Sequence, residues 1–89
     1  MLTADFTNRF KKEYKLAAKR GLDISLLDAV IIDLINGVPL NKKHKDHLLT
    51  GNFAGCRECH IKPDWLLVYQ RGNGVIVFER TGTHSDLFG

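Results

Sequence analysis

The sequence predicts an α+β fold in which a two-helix hairpin packs on an antiparallel sheet of three to five strands. Apolar residues recur every three or four positions through the first 35 residues, which is the period of an amphipathic helix. Later, short apolar runs are separated by turn signals such as Gly72-Asn73-Gly74, which indicate strands joined by tight hairpins. Helices followed by a run of strands are typical of α+β domains.

Composition limits the kind of protein this can be. The chain has 89 residues, 44% hydrophobic and 26% charged, so we expect one globular domain over residues 1–89. No apolar run could cross a bilayer and residues 1–6 do not resemble a signal peptide, which favours a cytoplasmic protein without membrane contact. In that compartment the two cysteines are expected to be reduced. A net charge of +3 is compatible with a polyanionic partner.

The N-terminal half is expected to hold a short edge strand at residues 1–6 and then two helices. The first helix, residues 7–20, has an apolar stripe and Thr7 as its N-cap. The second, residues 24–35, is expected to be capped by Asp23 or Ser25 and has four aliphatic side chains on one face. So short a turn between them predicts an antiparallel hairpin.

Residues 38–55 have no clear period and contain a basic cluster with two histidines. This segment is either a solvated connection or a basic loop that carries a histidine to a functional site. Three strands are expected after it, at about residues 54–61, 66–71 and 75–80, paired as an antiparallel meander. The helices should cover one face of this sheet and leave the other face free for a partner or substrate.

Titratable side chains are concentrated at the ends of the predicted strands. The candidates are His47, His60, Asp64, Arg80 and His84. Histidine suits proton transfer near neutral pH, and the planar arginine fork suits phosphate oxygens. The set matches RNA cleavage by the RNA's own 2′-hydroxyl, which needs a base, an acid and a fixed cation. Taken singly, each residue has an ordinary alternative as a surface, turn or core residue.

Two cysteines and two histidines have zinc-like spacing. They occur as Cys56-x-x-Cys59 and as His44-x-x-His47. Positions three apart on a strand point to opposite faces, so a single ion could not easily bind both cysteines. We therefore expect Cys59 to be a small buried hydrophobe, and neither a metal ion nor another cofactor to be needed. A zinc-stabilised, non-catalytic RNA-binding module stays open as an alternative.

Three segments of the chain resemble the YafQ family, toxins of the RelE/ParE superfamily from bacterial toxin–antitoxin modules. The segments are residues 45–51, 57–69 and 78–89. The resemblance implies a RelE-like fold and an endoribonuclease that cuts mRNA in the ribosomal A site. It also implies a DinJ-like antitoxin partner and a catalytic role for the five residues above. Gyrase-directed relatives lack this histidine set, so we consider that alternative less consistent with the sequence.

The resemblance and the residue chemistry together suggest individual roles. We expect His84 to be the acid, Asp64 or His60 the base, and Arg80 the phosphate ligand. Two groups of residues are expected to contact RNA. The aromatic rings that position the substrate are Trp65 and Phe88, and the loop lysines that contact ribosomal RNA are Lys42, Lys43 and Lys45. Relatives can carry proline after the loop histidine, where this chain has Leu48.

Overall fold

The computed structural model describes residues 1–89, with three α-helices and a five-stranded sheet. The elements are β1 (Thr3–Phe6), α1 (Asn8–Lys19), α2 (Ile24–Ile35), β2 (His47–Leu48), β3 (Arg57–Lys62), β4 (Trp65–Gly72), β5 (Val75–Gly82) and α3 (His84–Phe88). Two short 3-10 turns, Lys42–His44 and Gly51–Phe53, lie in the connection before β3. None of the helices has both the length and the apolar character that crossing a membrane requires.

The predicted helical hairpin is confirmed, and its capping residues explain where the helices begin. The Thr7 side chain accepts a hydrogen bond from the backbone N–H of Phe10, and Asp23 accepts one from Ser25. The two helices are linked by a hydrogen bond of 2.7 Å from the Tyr14 hydroxyl to Asp28.

The sheet confirms the predicted meander but is mixed rather than wholly antiparallel. Its strand order is β1-β5-β4-β3-β2, with antiparallel pairing everywhere except between β1 and β5. The strand β1 runs parallel to β5 because the helical hairpin and the remaining strands intervene between them. The sequence interpretation also missed β2 and α3, which are too short to show a period.

Both faces of the sheet are partly covered. The helices bury the main core against one face, which we call the helix-side face; Leu67, Tyr69 and Phe78 are fully buried there. On the opposite face, which we call the α3 face, Leu66 and Val68 pack with Leu87 of α3. The expectation of a free second face is therefore wrong at its centre, because α3 and the loop before β3 shield two large apolar side chains from water.

Candidate active site

One cross-strand row on the α3 face brings distant parts of the sequence together. His47 pairs with Glu58, Glu58 with Val68, and Val68 with Arg80. Directly paired residues share a face, and neighbouring strands lie about 4.8 Å apart, so the row spans four strands within about 15 Å. The pairing therefore places the loop histidine on the sheet, beside β3.

Three imidazole rings lie in succession above this face. His60 pairs with Leu66 in the next row, and His84 is the first residue of α3. The ring centres of His47 and His60 are 6.4 Å apart, and those of His60 and His84 are 5.7 Å apart. Phe88 continues the series, 6.4 Å from His84.

A buried carboxylate, Glu58, lies between two of the histidines. Glu58 is only 4% exposed, and its Oε1 is 3.2 Å from Nε2 of His60 and 3.7 Å from Nε2 of His47. A carboxylate is seldom buried without such partners. The sequence interpretation missed Glu58, although its position two residues before His60 on a strand already placed both side chains on one face.

Hydrogen bonds to the backbone fix the ring orientation of the two histidines in the basic loop. The carbonyl of Lys45 can only accept, so Nδ1 of His47, 2.7 Å away, carries the proton. This leaves Nε2 of His47 facing Glu58. His44 contacts the His60 carbonyl through Nδ1 at 2.8 Å, which fastens the loop to β3.

A polar network on the helix-side face holds the residue immediately before His47. The buried Tyr69 hydroxyl donates to Asp46 at 2.7 Å, and Nη2 of Arg57 donates to the same carboxylate at 3.3 Å. Burial, and then the hydrogen bond to Asp46, raise the pKa of Tyr69. The loop is thus anchored on both faces of the sheet, by Asp46 on one and His47 on the other.

Asp64 orients His84. Its Oδ1 accepts from the backbone N–H of His84 at 2.9 Å and faces Nδ1 of the same residue at 2.6 Å. The backbone hydrogen bond, followed by the side-chain bond, lowers the pKa of Asp64 below its ordinary value. Since Asp64 remains ionised, it holds the proton of His84 on Nδ1 and leaves Nε2 available for a substrate.

The helix α3 is itself fixed at its first turn. Thr83 and Asp86 form a reciprocal capping box. The Asp86 carboxylate also accepts from Arg20 at 2.7 Å, and that hydrogen bond, with the one from Thr83, lowers the pKa of Asp86 to about 2. The start of α3, and with it His84, is therefore tied to the end of α1.

The structure places Arg80 next to α1. Its Nε and Nη2 donate to Glu13 at 3.2 and 2.6 Å, and Nη2 also donates to the Asp86 carbonyl at 3.2 Å. Arg80 is 8% exposed and has no hydrogen bond to any histidine. The partner of Arg80 is thus the carboxylate of Glu13. Arg80 itself lies in the cross-strand row that contains Glu58.

The two aromatic side chains expected to contact RNA lie in different environments. Trp65 is 3% exposed within the main core, and its indole N–H donates to Thr81 at 3.0 Å. No face of the indole is open for base stacking, so the expected stacking role does not match its position. Phe88 is 46% exposed and rests edge-on against Phe53, with ring centres 5.3 Å apart.

The residues with zinc-like spacing do not assemble into a metal site. Cys59 is fully buried in the main core, and burial raises the pKa of its thiol to about 12. Cys56 packs in the smaller cluster on the α3 face, where burial also raises its pKa. A different group could bind a cation, because the donor atoms of Glu58, His60 and His84 lie within 4.8 Å of one another.

Comparison with known proteins identifies the family to which the chain belongs. Residues 2–89 match the family described as the bacterial toxin of type II toxin–antitoxin systems, YafQ. The mRNA interferase toxin YafQ of Escherichia coli K12 is 42% identical over 86 residues, which cover 96% of this chain and 94% of that protein.

Solved structures agree over the whole fold. The toxin in the E. coli DinJ–YafQ complex superposes with a TM-score of 0.94 at 40% identity, covering 100% of both chains. A metal-bound toxin from Helicobacter pylori superposes with a TM-score of 0.92 at 43% identity, covering 99% of this chain and 100% of that one. The chain therefore belongs to the YafQ family of bacterial toxins from type II toxin–antitoxin systems.

Proposed function

We propose that this protein is an mRNA interferase, the toxin of a type II toxin–antitoxin module. It cleaves mRNA by attack of the RNA's own 2′-hydroxyl. The observation that carries the proposal is the series of three imidazoles on the α3 face, with His84 oriented by Asp64 and Glu58 buried between the other two. The E. coli relative named as an mRNA interferase supports the same activity.

His84 supplies the acid. Its Nδ1 is engaged by Asp64 at 2.6 Å, so Nε2 is the nitrogen presented to the departing group. When His84 is protonated, Nε2 donates its proton to the 5′-oxygen as the bond from phosphorus to that oxygen breaks. The exposed position of His84 at the start of α3 gives RNA access to this nitrogen.

The pair formed by Glu58 and His60 supplies the base. Nδ1 of His60 donates to the Pro63 carbonyl at 3.3 Å, so Nε2 takes the 2′-hydroxyl proton while the 2′-oxygen forms its bond to phosphorus, and Glu58 stabilises the imidazolium that results. The upstream fragment then ends in a 2′,3′-cyclic phosphate and the downstream fragment begins with a 5′-hydroxyl. Glu58 suits this role because it is buried beside the ring, with its Oε1 3.2 Å from His60.

The remaining proposed residues bind the RNA. Arg80 contributes the fixed positive charge that stabilises the phosphorane oxygens. Phe88 offers an exposed ring for an unpaired base, next to the acid. The exposed loop lysines contact ribosomal RNA phosphates, and they are Lys42, Lys43 and Lys45.

Two macromolecular partners follow from the proposal. One is the ribosome, which presents mRNA in its A site to the toxin. The other is a cognate antitoxin similar to DinJ, as in the E. coli complex. The exposed rings of the α3 face and the exposed loop lysines are the groups that such an antitoxin would need to cover in order to block RNA.

The activity can be tested by inducing the protein in bacteria and mapping mRNA 5′ ends. We expect growth arrest and cuts that depend on the reading frame. The chemistry is tested on ribosomes carrying an mRNA with a single 2′-deoxy nucleotide at the cut position. That mRNA should bind and stay intact, while the all-ribose control is cut; cleavage of the deoxy substrate would show that water attacks instead.

A further inference from the structure

We propose that Glu13, on α1, is a positioning residue for catalysis that sets the Arg80 guanidinium toward the scissile phosphate. The inference rests on the proposed function. It concerns a residue outside the sheet and 67 positions from Arg80 in the sequence.

The contact is a two-pronged ion pair between largely buried groups. Oε1 of Glu13 accepts from Nε of Arg80 at 3.2 Å, and Oε2 accepts from Nη2 at 2.6 Å. The Arg80 side chain is 10% exposed and that of Glu13 is 16% exposed. Two parallel bonds fix the plane of the guanidinium as well as its position.

The Glu13 carboxylate is in turn fixed by the sheet. Its Oε1 also accepts from the backbone N–H of Thr81 at 3.3 Å, on the strand that carries Arg80. Nη2 of Arg80 makes a further bond, to the Asp86 carbonyl of α3. The guanidinium is therefore held between α1, β5 and the helix that carries His84.

One nitrogen of Arg80 is left without a protein partner. Nη1 makes no hydrogen bond, and no fully buried side-chain nitrogen or oxygen of the protein lacks one, so Nη1 is not fully buried. An arginine with Nε and Nη2 clamped and Nη1 free presents its charge to a phosphate without reorganising during the reaction. If Glu13 instead inhibited the protein by competing with phosphate, its carboxylate would also have to occupy Nη1.

Stability alone does not account for this pair. Removing two charges from water is costly, and well-packed apolar residues of similar volume often stabilise a fold as well as a buried ion pair does. Arg80 also lies in the row that contains Glu58 and His47, two strands from Glu58. A role in holding Arg80 for the reaction explains both the charge and the position.

The test compares Glu13→Gln with a matched control, Asp28→Asn. Both replace one partly buried carboxylate with a neutral amide, but Asp28 lies on α2 and accepts from Tyr14 rather than from Arg80. In single-turnover cleavage of ribosome-bound mRNA, Glu13→Gln should lower the maximal rate about 10- to 100-fold, as expected when a catalytic group is displaced by about an ångström. The KM of Glu13→Gln should stay at the parental value, and so should the maximal rate and the KM of Asp28→Asn.

Dependence on Arg80 is tested by a double mutant. If Glu13 acts through Arg80, adding Glu13→Gln to Arg80→Ala should cause no further loss of rate. Multiplicative losses, a parental rate in Glu13→Gln, or a faster rate would each overturn the proposal.

Breaking a buried pair can also unfold the protein, so Glu13→Asp is measured in parallel. This variant keeps the charge but is too short to reach both nitrogens, and its maximal rate should fall several-fold while its fold is retained. A folded Glu13→Asp protein with the parental rate would overturn the proposal. If the parent itself cleaves no mRNA, the proposed function fails; if the parent cleaves and the Glu13 variants match it, only the positioning role fails.

Discussion

Replacement of Asp64 by Asn tests whether this carboxylate orients His84 or moves a proton itself. The substitution keeps the size of the side chain and an oxygen that can accept the backbone N–H of His84, at 2.9 Å in the parent. It replaces the charged acceptor of Nδ1, at 2.6 Å, with a neutral amide. The protein fold should be little affected, because the Asp64 side chain is 65% exposed.

The magnitude follows from the two hydrogen bonds. A hydrogen bond to a charged group is stronger than one to a neutral group, but solvent screening reduces the difference at an exposed side chain such as Asp64. Weaker holding of the protonated ring should therefore lower the rate only several-fold, about 5-fold. His84→Gln removes the acid altogether and should lower the rate by about 10² to 10⁴. The double variant should cleave at the rate of His84→Gln, because Asp64 acts only through that ring.

The assay is single-turnover cleavage of mRNA on programmed ribosomes between about pH 5.5 and 9, a range that contains the unperturbed histidine pKa of about 6.5. Because the pKa of Asp64 is lowered, its carboxylate stays charged as the pH falls through this range. Titration of Asp64 therefore causes no fall in the parental cleavage rate at the acidic end of the pH–rate profile. A loss in Asp64→Asn as large as that in His84→Gln, with multiplicative losses in the double variant, would refute orientation. Asp64 would then be the base.

Three further predictions concern the rest of the site. Replacing Lys42, Lys43 and Lys45 with Gln should weaken ribosome binding and flatten its salt dependence with the fold intact; an unchanged salt slope would mean that these lysines touch no phosphate. Cleavage should survive EDTA once the Mg²⁺ needs of the ribosome are met. Excess Zn²⁺ should inhibit cleavage by binding to the donor atoms of Glu58, His60 and His84. Loss of the fold on chelation would favour a structural metal instead. Tyr69→Phe should lower the thermal midpoint of unfolding by about 8 °C. This shift is the free energy of the hydrogen bond to Asp46, about 1.5 kcal/mol, divided by an unfolding entropy of about 0.19 kcal/mol/K for 89 residues. Because the pKa of Tyr69 is raised in the folded state, the contribution of its hydroxyl to the free energy of unfolding is complete below about pH 10 and is lost at higher pH. Thermal melts should therefore show a smaller loss of stability at alkaline pH in Tyr69→Phe than in the parent.

The helices were predictable from the sequence because their signals are local. Thr7 and Asp23 cap the helices that the apolar period indicated, and the turn at residues 72–74 joins the two strands that it was expected to join. The strand pairing of β1 and the helix α3 were not predictable in this way. A strand of four residues and a helix of five residues are stabilised by what they pack against, and their sequence alone carries little period.

The candidate site was predictable in its chemistry but only partly in its contacts. Histidine was identified as a candidate because it transfers protons near neutral pH, and arginine because it binds phosphate oxygens. The structure places the three histidines together. Glu58 was missed because a glutamate in a strand is usually solvated, and its burial depends on the loop that brings in His47. Trp65 was expected to face RNA, but its position on β4 beside Thr81 puts it in the core.

Arg80 shows most clearly how the fold overrides a simple strand pattern. In a regular strand, Phe78 and Arg80 would share a face, since they are two residues apart. The pairing shifts at this point, so that Tyr69 opposes Phe78 while the adjacent Val68 opposes Arg80, and Glu79 is left without a partner. This bulge keeps Phe78 fully buried among the helices and turns Arg80 to the α3 face, where it joins the row of Glu58 and His47. A bulge is set by the partner strand and by α1, which bonds to β5 through Thr7 and Glu13 on either side of Arg80. The residue that the alternation rule would have placed in the core is therefore the one that the bulge turns to the α3 face.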